Sequence, residues 1–414
     1  MKISIIIPTR ERAEYLRYSI QTALDIDDEN IEVVICNNAS CDDTESVVQG
    51  FTDPRIHYVN TGARVSMREN FNRAMNESSG DYVIFFGDDD GIVPGQFKYL
   101  RQLLETHRPD GLSWNRASYG WPGDGYAKKT GGVRFYQHGT FGTPYAYNPK
   151  DRNLDALMGC QLSHLFPVTP NIYHGCVSRA YLDRVAPSKG LYFDSVIPDV
   201  NFEYRANILG GNFLHADHPF SINGYSPAST GSAHNKNAPD APGAKAGQEF
   251  AKENKTDPLE DVMDHALTVP LVYFSTLETV IQRMGYTDRV PDYTAWYLYA
   301  LSARKNNAEL APRIMEILTE HATRTDTIDQ LEAAISSPAK SKRTLGERLA
   351  RIKTQIASFR VSVDKDGENT ILTAAQVYDE ILGDQYGAVL KDANLRRSVW
   401  KGVKKRSKAY TRQL

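Results

Sequence analysis

The amino-acid sequence predicts an α/β fold: a mostly parallel sheet wound with helices in the first half of the chain, followed by an α-helical second half. Three observations carry that expectation. Short apolar strands alternate with helical stretches through residues 1–110, polar clusters stand at the carboxyl ends of those strands, and the pattern turns to helical spacing from Leu259 onward.

Ile3 to Ile7 is a short β-branched run that stops at Pro8 and reads as a buried strand. Leu16, Ile20 and Leu24 follow on one helical face. Ile31 to Cys36 forms a second strand ending in the polar cluster NNASCDDT, and Arg55 to Asn60 a third. The stretch Met67 to Met75 is helical, and Asp81 to Phe86 (DYVIFF) is a fourth strand ending at GDDDG. Parallel sheets of this kind bind ligands at the carboxyl ends of their strands, where these clusters fall.

Residues 111–225 are rich in aromatics, Gly and Pro, with poor periodicity; they read as the rest of the same domain, with long loops. Residues 226–258 are dominated by small and polar side chains and read as a mobile loop or linker. The expected organisation is a sheet domain over 1–240, a linker over 241–258, and a separately packed helical domain with a basic tail over 259–414. Helical spacing marks 259–285, 293–305, 308–323, 326–336 and 371–382. Leu345, Leu349, Ile352, Ile356 and Phe359 form a heptad-like stripe, too short for an autonomous coiled coil and better read as a packed helix.

The 414-residue chain is 41% hydrophobic and 24% charged with a formal net charge of −3, which predicts no general affinity for nucleic acid. The longest aliphatic run, Ile5 to Ile7, is far short of a membrane span. Pro8, Arg10, Glu11 and Arg12 interrupt the apolar start, so no signal peptide is expected and the expected location is cytoplasmic. Cys36, Cys41, Cys160 and Cys176 lack metal-ligand spacing and read as reduced thiols.

Gly87-Asp88-Asp89-Asp90-Gly91 is the sharpest chemical feature. Two carboxylates ~5 Å apart repel by roughly 3 kcal/mol at an effective dielectric of 20. Three in a row are tolerable in a solvated turn, but at the mouth of a buried sheet they call for a cation. Hard oxygen ligands suit Mg²⁺ or Mn²⁺, commonly shared with substrate phosphates.

Four stretches in order, SIIIPTRERAEYLRYSI, EVVICNNASCDDT, RENFNRAMNESSGDYVIFFGDDDGIVPGQF and SVIPDVNFEYRANILGG, give the first 225 residues a pattern that resembles the family 2 glycosyltransferases of the GT-A fold. The resemblance implies an inverting transfer of a sugar from a nucleotide-sugar donor, UDP-linked by family, to a hydroxyl of a glycan or lipid-linked acceptor in bacterial cell-surface polysaccharide or glycoconjugate synthesis. It places Asp89 on the metal, Asp90 beside the metal or its waters, and Asp88 beside the ribose. Pro8, Thr9 and Arg10 pass under the nucleotide, and Asn37 and Asn38 meet the base, although turn chemistry also explains that Asn pair. Gly87 departs from the family, which often has Asp there, and would displace the metal shell toward Asp90.

By the same resemblance Asp199 is the catalytic base, with Asp194 as its substitute; the competing reading of Asp199 is a helix N-cap. The fold often carries a metal-binding His near SINGYSPAST, which has none; His174, His215, His218 and His234 are candidates for metal or phosphate contact, with surface histidines as the plainer reading. Leu395 to Tyr410 carries seven Lys and Arg residues around the stripe Leu395, Val399, Trp400 and Val403. It fits a peripheral anchor at the inner face of a membrane, or a solvated basic tail. The helical domain is also a candidate homo-oligomer interface.

Two other functions remain open. A sugar-phosphate nucleotidyltransferase would show a Gly-rich loop with a basic residue after the first strand, and PTRERAEYL has no glycine. A carbohydrate-binding scaffold without activity is disfavoured by the intact acid cluster and kept open by Gly87 and the missing histidine.

Overall fold

The computed structural model describes residues 1–123, 131–228, 242–266, 268–305, 308–337 and 358–411. Its strands are β1 (Ile3–Thr9), β2 (Ile31–Asn37), β3 (Ile56–Asn60), β4 (Tyr82–Phe85), β5 (Gly91–Ile92), β6 (Gly111–Trp114) and β7 (Ala117–Gly120). These are followed by β8 (Gly132–Tyr136), β9 (Tyr145–Tyr147), β10 (Gly175–Ser178), β11 (Phe213–Ala216), β12 (Ser221–Tyr225) and β13 (Ser358–Ser362). An eight-stranded sheet runs β3-β2-β1-β4-β10-β6-β11-β9, and a five-stranded sheet runs β13-β8-β7-β12-β5. The first four strands of the large sheet are parallel, and β10 enters antiparallel between β4 and β6.

Strand alternation explains how one sheet feeds two cores. Ile3, Ile5 and Ile7 with Val33, Ile35 and Ile84 face one core. Ile6, Val34, Cys36, Val83 and Phe85 face the other, where Phe71 stacks on Phe85 with ring centroids 4.9 Å apart. A sheet covered on both faces needs near-continuous apolar strands, which is how β1, β2 and β4 read. The α/β architecture with a helix-rich second half is therefore the one expected, and four of the five helical segments are found as Tyr293–Leu301, Ala311–Arg324, Ile328–Ser336 and Ile371–Leu382. The fifth is shorter than 259–285, starting at Val269 and ending at Met284.

The boundaries differ from those expected. Residues 241–258 are mostly a helix, Pro242–Thr256, rather than a linker. The stretch from 259 onward does not pack as one unit. Its helices between Val269 and Ser336 share a core with the helices Pro149–Met158 and Pro198–Leu209. Residues beyond 358 instead join the core of β1: Val361, Ile371, Val377, Trp400 and Val403 all belong to it. β13 pairs antiparallel with β8 over five residues, so Phe359 lies on a strand, stacked 5.1 Å from Phe135, and not on a helical stripe. Leu345, Leu349, Ile352 and Ile356 lie outside the described residues.

The expected membrane anchor is also altered. The helix Arg396–Thr411 turns Val399, Trp400 and Val403 inward, leaving Leu395 as the exposed apolar residue of that stripe. Arg406 donates to the carbonyls of Ile381 and Leu382, and Arg396 to those of Gln137, His138 and Thr140. With most of its apolar face buried, this helix is part of the core rather than a solvated tail. Among the described residues no helix is long and apolar enough to cross a membrane. All four cysteines are free thiols.

Candidate active site

A cavity of ≈ 520 Å³ opens at the carboxyl ends of β1 and β4, within the range of about 300–1,000 Å³ usual for ligand sites. Pro8, Thr9, Arg10, Asn38, Asp88, Asp89, Asp90 and Asp199 all line it. Residues separated by more than a hundred positions thus converge where the topology of a parallel sheet places a ligand.

The acid turn is held from several sides. Ser19 on the first helix donates to the backbone carbonyls of Asp88 (2.8 Å) and Asp90. Asp88 accepts from the Thr9 hydroxyl at 2.8 Å and pairs with Arg12 at 2.9 Å. Asp89 accepts from the Ser226 hydroxyl at 2.6 Å, while its carbonyl takes the Trp121 indole N–H at 2.8 Å. The Asp89 carboxyl is pushed up to about 6, first by burial and then by the charge of Asp90.

Asp90 lines the same cavity and is held by the loops around it. Its Oδ2 accepts from the Gly87 N–H (2.8 Å) and the Tyr173 hydroxyl (2.6 Å) and lies 3.1 Å from His174 Nε2; its Oδ1 accepts from the Gly224 N–H at 2.7 Å. Burial pushes Asp90 up, but His174, Tyr173 and Gly224 more than offset it and hold the group below the ordinary range. A carboxylate engaged by this many donors ties the loop together. Two glycines permit the close approach. A Cβ on Gly87 would lie 2.4 Å from the Tyr173 hydroxyl, and one on Gly224 1.8 Å from the Asp89 carbonyl.

Asp199 is the second residue of the helix Pro198–Leu209, whose N-cap is Ile197 with no side-chain cap bond. The N-cap reading of Asp199 therefore does not hold. This helix is buried nearly all round: Val200, Tyr204 and Ile208 pack into one core, Phe202 and Ala206 into another. Such packing fixes Asp199 at the cavity wall. Burial raises its carboxyl above the ordinary range, while the N–H groups of Asp199 and Val200, and the charge of Arg116, pull it back.

Several expected residues lie elsewhere. Asn37 is outside the cavity wall, donating to the Tyr58 hydroxyl and accepting from the Ser40 N–H, each at 2.9 Å. Asn38 lines the cavity, but its amide bonds both the N–H and the carbonyl of Val65. Turn chemistry accounts for the Asn37–Ser40 bond, whereas Asn38 is tied to a loop remote in sequence. Asp194 is a buried partner of Arg205 at 2.8 Å and of Asn201, not a spare base. His174 bridges Asp90 and the Ser221 hydroxyl, His215 bonds Ser113, and His218 stacks on Tyr386 at 3.7 Å. These three are buried rather than on the surface; His234 lies outside the described residues.

Sequence reasoning missed Arg12, Arg116, Tyr173, Tyr273, Phe250 and Glu253, all on the cavity wall. Arg12 was visible as a cation four residues past Pro8. Glu253, which pairs with Arg10 at 2.5 Å, sits in the stretch read as a linker and left no such signal.

Among the described residues no three His, Cys, Asp or Glu side chains gather into a metal cage. The donor set fits a narrower arrangement, in which Asp89, a buried hard ligand whose carboxyl is raised by burial and by Asp90, would serve one divalent ion, with phosphate oxygens and water completing the shell.

Residues 4–162 match the family model described as Glycosyl transferase family 2. A GalNAc(5)-diNAcBac-PP-undecaprenol beta-1,3-glucosyltransferase of Campylobacter jejuni is 34% identical over 104 residues, covering 24% of this chain and 34% of that protein. Abequosyltransferase RfbV of Salmonella typhimurium is 30% identical over 112 residues, 26% of this chain and 33% of its own length. The chain thus spans about a third of the length of these relatives. Among solved structures, S. aureus TarS 1-349 in complex with UDP-GlcNAc is similar at 16% identity with a TM-score of 0.45, covering 89% of this chain and 95% of that one.

Proposed function

We propose, from the match of residues 4–162 to the family model described as Glycosyl transferase family 2, that the chain is an inverting, metal-dependent enzyme of bacterial cell-surface polysaccharide or glycoconjugate synthesis. One observation carries the reading: the acid turn at the end of β4 and the half-buried carboxylate of Asp199 line a single cavity. The donor is a nucleotide sugar, UDP-linked, and the acceptor a hydroxyl of a glycan or lipid-linked sugar, the class named for the Campylobacter relative.

Each residue has a chemical task in this reading. Thr9 and Arg12 fix Asp88 toward the ribose. Arg10 stands at the diphosphate, and Asp89 would hold Mg²⁺ or Mn²⁺. The ion, when bound, neutralises the diphosphate leaving group. Asp199, its basicity raised by burial, accepts the proton of the acceptor hydroxyl as that oxygen attacks the anomeric carbon.

A thermal-shift screen of nucleoside diphosphates and nucleotide sugars, with Mn²⁺ and with chelator, tests this. A true donor at a hundredfold excess over its Kd should raise stability by ~2.7 kcal/mol, and chelator should abolish most of that gain. No shift with any nucleotide sugar, together with no donor hydrolysis, would overturn the assignment and favour a carbohydrate-binding scaffold.

A further inference from the structure

The helix Pro198–Leu209 carries, apart from the Asn201 and Arg205 that meet Asp194, a polar stripe between two apolar rows. Asp199, Glu203 and Asn207 recur at four-residue spacing, between the apolar rows that enter the two cores. Asn207 accepts from the Asn153 amide at 3.0 Å and donates to the Thr169 hydroxyl at 3.3 Å, and Thr169 in turn reaches Glu203. The stripe therefore runs from the cavity wall at Asp199 into the interior and ends in satisfied amides. Glu203 is its one incomplete member: the residue is 6% exposed and its Oε1 is buried without a hydrogen-bond partner.

A buried carboxylate in that position would be costly as an anion, above all one helical turn from a second carboxylate. A neutral carboxylic acid fits the same place and leaves Asp199 as the anion. We infer that Asp199 and Glu203 act as a dyad sharing one negative charge, with Glu203 a positioning residue that keeps the proton and thereby fixes Asp199 as the group that accepts one. This inference rests on the reading of Asp199 as the base.

The surroundings agree. The charged and titratable groups facing Glu203 are Asp199 on its own helix, Arg116 between β6 and β7, Tyr147 of β9, and Tyr273 on the helix Val269–Met284, with Tyr204 adjacent in the chain. Arg116 is the cation among them, and it also acts on Asp199. Burial pushes the Glu203 carboxyl up to about 8; the Thr169 hydrogen bond pulls it back, and the Asp199 charge adds to the rise, ahead of the pull of Arg116. The next proton taken up by the pair, from an acceptor hydroxyl, goes to Asp199 because Glu203 already holds one. A second anion beside the donor's diphosphate is thus avoided at neutral pH.

The test is carboxyl ¹³C NMR of the full chain, with Glu203→Gln identifying the signal. The expected result is a Glu203 carboxyl protonated at pH 7 and titrating near 8. In Asp199→Asn that midpoint should fall by about one to two pH units, the size expected from removing a unit charge ~6 Å away. An ionised Glu203 at pH 7, or the same midpoint in both proteins, overturns the dyad. In transfer assays Glu203→Gln, permanently neutral, should lose the change in kcat/KM that the wild type shows near pH 8. An unaltered pH profile would mean that Glu203 is structural. Full activity in Asp199→Asn would instead refute the base reading, while the NMR midpoints would still report the shared charge.

Discussion

Replacing Asp89 by Asn should stabilise the ligand-free protein while removing metal-promoted donor binding. In the native structure the carboxyl is 5% exposed and lies beside Asp88 and Asp90, which with burial raises it from an ordinary 3.8 to about 6. The sign follows from linkage. A carboxyl raised on folding binds its proton more tightly in the folded state, so its contribution is fully favourable below pH 3.8 and is lost as pH rises through 6. At pH 7 the ionised group costs about 3 kcal/mol, and at pH 5 roughly half of that, at 1.36 kcal/mol per pH unit. Asn removes the charge and keeps a hydrogen bond with the Ser226 hydroxyl. Urea unfolding in chelator at pH 7 and pH 5 measures both values. The variant should be more stable by up to about 3 kcal/mol at pH 7, with the gain shrinking at pH 5. In the presence of Mn²⁺ and donor the order should reverse, because the variant lacks the ligand. A variant that is destabilised at pH 7, or a gain that does not depend on pH, would refute the reasoning that this site stores electrostatic strain for a cation.

Asp199→Asn should lower transfer by about 10²–10⁴-fold with no loss of stability, because Ile197 and not Asp199 occupies the cap; near wild-type transfer would remove Asp199 from the mechanism. Arg12→Ala should destabilise the protein by about 3–5 kcal/mol, since it leaves the buried Asp88 carboxylate without its cation, and donor affinity measured by calorimetry should fall with it. Glu203 supplies a second pH effect with the same sign as Asp89: stability should decline as pH rises from 4.5 through about 8, by up to about 5 kcal/mol, and urea midpoints of Glu203→Gln should lack that component. Trp400→Ala should cost about 3–5 kcal/mol, as for other buried aromatics, whereas a detachable tail would leave urea unfolding unchanged.

The parallel sheet is legible in the residues alone, because β1, β2 and β4 are apolar runs that can be buried only with helices on both faces. So are the acid turn and its place at a strand end, since a carboxylate cluster after DYVIFF can lie only where the chain leaves the sheet. Tertiary structure decided the rest. How an acidic residue is held depends on donors that are remote in sequence: Asp90 is claimed by Tyr173, His174 and Gly224, and Asp89 by Ser226. The Asn37 side chain is likewise claimed by Tyr58 of the neighbouring β3. Residues beyond 358 have helical and strand texture that says nothing of which core they join, and their pairing with β8 follows from a match of faces across more than two hundred residues. Glu203 could be read as one more polar residue on a helix. Only the packing of apolar rows on either side turns it into a buried acid one turn from Asp199, because burial is a property of the neighbours and not of the residue.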